Sequence, residues 1–158
     1  MLLIKSRFLI KTVAICLLFA TIFSVPAYAA ENAARYIDTF NGYIYSAGGG
    51  EIRVWAIVDA PYTIDELGAA MILLYECPTN STNDSDWEII YTYYCNIWPE
   101  RMITYNDSNH TGCVKWEDGI VGYYYKAQIT VYASHEGTTE SRTFTTPAKP
   151  ATRFAENA

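Results

Sequence analysis

The stretch YYYKAQITVYA, residues 123–133, decides how the chain reads. Tyr125, Ala127, Ile129, Val131 and Ala133 fall on one side of an extended backbone, and Tyr124, Lys126, Gln128, Thr130 and Tyr132 fall on the other. A period of two marks a strand with one face on a core and one toward water, because successive side chains alternate across a sheet. Aromatic and β-branched residues also fit a pleated, half-buried surface.

Downstream, residues 134–137 form a polar turn and 138–146 return as a hairpin partner, stopped by Pro147. Upstream, Glu117-Asp118-Gly119 turns the chain after a short strand at 111–116, 106–109 reads as another turn, and 102–105 has room for a short edge strand outside the main count. In 87–95, Ile89, Tyr91 and Tyr93 share a face. The polar loop 78–86 joins that strand to the apolar run 69–75, a central strand. Ala60 and Pro61 break the strand 51–59, in which Ile52, Val54, Ala56 and Val58 face the core, and 63–68 reads as a connection with room for one helical turn. A first strand at 36–45 ends at Gly48-Gly49-Gly50. Seven short strands with no helix-length segment between them predict an all-β fold, a single antiparallel β-sandwich.

Ahead of this domain, Lys5, Arg7 and Lys11 precede an apolar run and then Pro26-Ala27-Tyr28-Ala29-Ala30, the layout of a cleavable secretory signal. The run is shorter than the roughly 20 residues a membrane helix needs. The expected organisation is a signal peptide over 1–29 with cleavage after Ala29 or Ala30, a short extension over 30–35, the sandwich over 36–146, and a flexible tail over 147–158. Cys16 lies inside the apolar run, away from the place lipid attachment requires. The expected location is therefore extracellular, with no membrane association after cleavage.

The roughly 128 residues left are enough for one domain with a core of its own. The leader carries three of the 11 basic residues and none of the 17 acidic ones, so the mature chain has a net charge of −9. Such a balance repels phosphate backbones and anionic membranes, which argues against nucleic acid as a partner and favours solubility.

Gly122, Tyr125, Ala127 and Ile129 resemble the Gly-x-x-Tyr-x-apolar-x-apolar opening of the sixth strand in fibronectin type III and immunoglobulin-like sandwiches. That resemblance implies a structural role for Gly122 and Tyr125, the ring filling the edge of the core and the hydroxyl bonding backbone upstream. Ile64-Asp65-Glu66-Leu67-Gly68, Gly122-Tyr123-Tyr124-Tyr125 and Gly137-Thr138-Thr139-Glu140-Ser141 together resemble a family of small secreted proteins of unknown function from Gram-positive bacteria. The match spans most of the mature chain and implies no activity and no catalytic residue.

Nucleophilic catalysis needs a base, usually histidine. The chain has two, His110 and His135, both in predicted turns, where a solvated surface role is the ordinary one. His110 with Glu117 or Asp118 is the seed of an alternative reading, a small hydrolase. Asp84, Asp86 and Glu88 place oxygen ligands at alternate positions as calcium prefers, without the glycine and distal glutamate of the twelve-residue calcium loop. No cofactor is expected. Export permits oxidation, and the bridge expected is Cys95 with Cys113, leaving Cys77 over; the alternative is three reduced thiols. Trp55, Tyr124 and Tyr132, opposite the predicted core, are candidates for an aromatic binding platform. The function these readings support is a non-catalytic extracellular binding or surface module for a glycan or protein, with a purely structural role as a further alternative.

Overall fold

The structure is a computed structural model and describes residues 36–155. Its elements in chain order are β1 (Thr39–Gly48), β2 (Glu51–Cys77), β3 (Glu88–Tyr94), the helical turn α1 (Pro99–Met102), β4 (Ile103–Trp116), β5 (Tyr124–His135), β6 (Thr138–Thr145) and β7 (Lys149–Pro150). All seven strands pair antiparallel in one sheet. The signal peptide, the extension over 30–35 and residues 156–158 lie outside the described residues.

The long strand β2 organises everything else. Its first half pairs with β1 on one flank and with the end of β4 on the other, Val54 lying opposite both Ile44 and Val114. Its second half pairs with β5 on the flank that β1 has left, and with the start of β4 and then β3 on the other. Two strands in succession along one flank force the sheet to curl, and the curl brings β1 over β5 and β6. A Cβ on Gly42 of β1 would stand 2.7 Å from Ile129 Cδ1 and 2.9 Å from the Phe144 ring, and the Phe40 and Phe144 rings sit 5.3 Å apart. The sandwich is therefore one sheet folded on itself.

The alternation read from the sequence sets the core. Ile52, Val54, Ala56 and Val58 are buried from β2, and Tyr125, Ala127, Ile129, Val131 and Ala133 from β5, all of them at most 1% exposed. Burying each aliphatic side chain of Val or Ile size contributes about 1.5–3 kcal/mol. Ile64, Leu67, Ile72 and Leu74 complete the interior from the second half of β2.

Four expectations need correction. The chain does not break at Pro61: β2 runs through it, and 63–68 hold strand with no helical turn. Pro61 falls where the β4 pairing slips between Asp59 and Ile64, so its missing N–H breaks no ladder bond there. Residues 106–109 are likewise no turn, because β4 is continuous through them, with Asn106 at φ +53° and Asp107 and Asn109 both paired to β2. Residues 149–152 of the tail are tied down rather than free. β7 pairs with Tyr124 and Tyr125, Ala151 is buried, and the Ser46 hydroxyl accepts from Thr152 N at 2.9 Å. Fusing the strands at 51–59 and 69–75, and adding the two-residue β7, keeps the count at seven.

Candidate aromatic cleft

A cleft forms between β3 and the end of β4, both of which pair with β2. Tyr91 and Tyr93 leave β3 on one face, as the alternation predicts. Trp98 follows at the entrance to α1, and Trp116 ends β4. Their rings run in a chain: Trp116 to Tyr91 at 5.4 Å, Tyr91 to Tyr93 at 4.6 Å, and Tyr93 to Trp98 at 6.4 Å between centroids. With Val114 they line an open cleft of about 390 Å³ whose rim carries Arg101, Lys115 and Glu117. That volume lies within the usual span of small-ligand sites.

The parts of the cleft differ in what they still offer. Tyr93 is buried, its hydroxyl donates to Lys115 O at 2.8 Å, and burial beside Tyr91 raises its pKa, so it remains a neutral donor already in use. Tyr91 is 37% exposed and shows its ring to solvent. Lys115 pairs with Glu117 at 3.4 Å. The Arg101 guanidinium lies 5.8 Å from the Trp98 ring and, among the described residues, reaches no carboxylate. The Trp116 Nε1 is shielded from water and has no acceptor among the described residues.

The residues singled out in the sequence lie elsewhere. Trp55 is on the outer face of β2, half-buried and stacked at 6.0 Å and 16° on Tyr43. Tyr124 and Tyr132 stand near opposite ends of β5, about 26 Å apart at the rise of a strand, and Tyr132 spends its hydroxyl on Glu66 Oε2 at 3.0 Å. Among the described residues no ring pair joins any of the three, so no such platform forms.

His110 is not a solvated turn residue. It is 4% exposed in β4, its Nδ1 sits 2.8 Å from Thr104 Oγ1, its Nε2 has no partner among the described residues, and burial lowers its pKa. Seven positions of extended strand and turn separate it from Glu117, about 23 Å at full rise. His135 lies 3.3 Å from Asp65 Oδ1, between the edges of Tyr36 and Tyr62. Asp84 pairs with Lys126 at 2.7 Å and Asp86 accepts from the Ser81 hydroxyl at 2.5 Å, while Glu88 stands on β3 opposite Glu76. Among the described residues no three acidic, histidine or cysteine side chains gather to hold a metal.

Cys77, Cys95 and Cys113 are free thiols, so the Cys95–Cys113 bridge is not formed. Cys95 bonds through its N–H to Ala70 O and Cys113 faces Trp55, which fixes them to different halves of β2. Tyr125 is fully buried, its hydroxyl accepting from Ile120 N at 2.8 Å and donating to Glu76, while Gly122 turns into β5 at φ +95°.

The cleft could be found in the sequence only in part. Tyr91 and Tyr93 share a predicted face, but Trp98 and Trp116 sit in segments whose partners depend on the curl. Fold and cleft together define an antiparallel β protein with an aromatic-lined, charge-rimmed surface site. No family model, curated protein or solved structure matches the chain. Among the described residues no helix is long and apolar enough to cross a membrane.

Proposed function

We propose that the protein is a secreted, non-catalytic binding module that takes its ligand in the cleft between β3 and β4. The observation that carries this reading is the chain of four rings, one of them well exposed, beside cationic groups. Exposed ring faces next to fixed charges are what recognition sites use, the rings supplying area and the charges orientation. The placement of His110 away from Glu117 and Asp118 favours binding over hydrolysis. The signal-like leader supports export.

The test is a glycan and peptidoglycan binding screen with the secreted protein, read by tryptophan fluorescence. Trp98 and Trp116 in the cleft make binding visible, and Trp116→Ala should abolish it while the fold persists. A screen without hits would leave the purely structural role, and binding unchanged in Trp116→Ala would place the site outside this cleft. Mass spectrometry of the exported protein should find its N-terminus at Ala30 or its neighbour.

A further inference from the structure

We propose that the cleft selects saccharides that carry a carboxylate, with Arg101 as the residue that reads the acidic group. The inference rests on the cleft being a binding site and adds the class of ligand.

The protein is strongly acidic, yet the cleft rim carries Arg101 and Lys115 against Glu117 alone. Glu117 is already met by Lys115 at 3.4 Å. What is left over is Arg101, exposed at the surface and without a carboxylate partner among the described residues. Arg53 and Arg142, by contrast, each hold a glutamate, at 2.5 and 2.6 Å. An arginine held near an indole face presents its fork to a planar acceptor with little freedom left to lose, and carboxylates fit that fork in a bidentate way.

The walls decide between a sugar and an extended peptide. A peptide strand would bind by adding to a sheet edge through backbone hydrogen bonds. Among the described residues β4 pairs only with β2, so its other edge borders the cleft, but Tyr93 Oη already occupies the Lys115 carbonyl at 2.8 Å. The cleft therefore offers ring faces and charge in place of a backbone ladder. A pyranose ring, with one apolar face to stack and polar edges to solvate, suits such walls.

The probes are tetragalacturonate and its full methyl ester, which share a backbone and differ in charge, together with a tetra-aspartate peptide. The acid should bind roughly tenfold more tightly than the ester, the size expected of a hydrogen-bonded charge contact. Arg101→Gln should bring the two together, while Lys149→Gln, outside the cleft, should leave the difference intact. Thermal melts confirm that both variants fold. Equal binding of acid and ester would overturn the acidic preference and leave the binding module standing. Loss of the preference in Lys149→Gln as well would reduce it to bulk charge and overturn the role of Arg101. Competition by the peptide as strong as by the uronide would overturn the saccharide. Failure of both sugars to bind would overturn this inference, and a screen empty of every other glycan would take the binding module with it.

Discussion

Two clusters in this molecule place a cation against tryptophan, and they differ in what completes them. Lys126 on β5 lies 4.5 Å from the Trp87 ring and 5.6 Å from Tyr75, and its ammonium meets Asp84 at 2.7 Å. Trp87 is buried, with its indole N–H on Ser81 O at 3.1 Å. Every strong group there has a partner, and the cluster pins the loop 78–87 to the sheet. Arg101 over Trp98 has the same chemistry without the carboxylate, in an open cleft. The same pair of residue types is a staple where the chain closes it and a candidate recognition site where the chain leaves it open.

The largest expected effect comes from separating the open cluster from its support. Gly68 lets α1 approach: a Cβ there would lie 2.0 Å from Met102 O, a backbone atom with no room to yield. Gly68→Ala should cost about 1–3 kcal/mol in denaturant unfolding through overpacking, and it should disturb Trp98 and Arg101 while leaving the Lys126 cluster in place. An unchanged midpoint would mean that α1 is held from elsewhere.

Of similar size is Tyr125→Phe, which strips Ile120 N of its acceptor and Glu76 of its donor. A loss of about 1–3 kcal/mol is expected, against almost none for Tyr124→Phe. Equal losses would show that the alternation of β5 does not set the energetics.

Acid should act on the open cluster's side of the molecule. His110 lies beside Gly112, where a Cβ would be pinched between the His110 ring and Arg101 O. Burial lowers the His110 pKa in the folded state, so the unfolded chain takes up a proton more readily. The stability this neutral histidine allows is complete above its unfolded pKa of about 6.5 and is lost progressively as pH falls from there toward the lowered folded value. His110→Gln should flatten that slope, and an unaltered slope would assign it to the carboxylates.

The smallest effects make the sharpest contrast between the clusters. Lys126→Gln should lower stability by about 1 kcal/mol or less, since Asp84 is exposed and such pairs are screened, and should leave cleft binding untouched. Arg101→Gln should do the reverse, leaving the melt within about 0.5 kcal/mol of the parent, as surface substitutions ordinarily do. If both variants behaved alike, the distinction between closed and open clusters would fail.

Alternation along the chain specifies one part of this fold locally. The inward faces of residues 51–59 and 123–133, the hairpin into 138–146 and the buried Tyr125 follow from side chains that alternate every residue, a local property of extended backbone. It did not determine where strands end. Pro61 and the run 106–109 carry the residues of breaks and turns, yet both stay within strands: a register slip between β2 and β4 leaves Pro61 unpaired, while Asp107 and Asn109 on either side of the slip are held by β2. Only the tertiary structure decided which aromatics meet. Trp55, Tyr124 and Tyr132 share an outward phase but lie on parts of the sheet that the curl of β2 keeps apart. Trp98 and Trp116, in segments with no clear period, are brought to Tyr91 and Tyr93 because β3 and β4 follow one another along one flank of one bent strand.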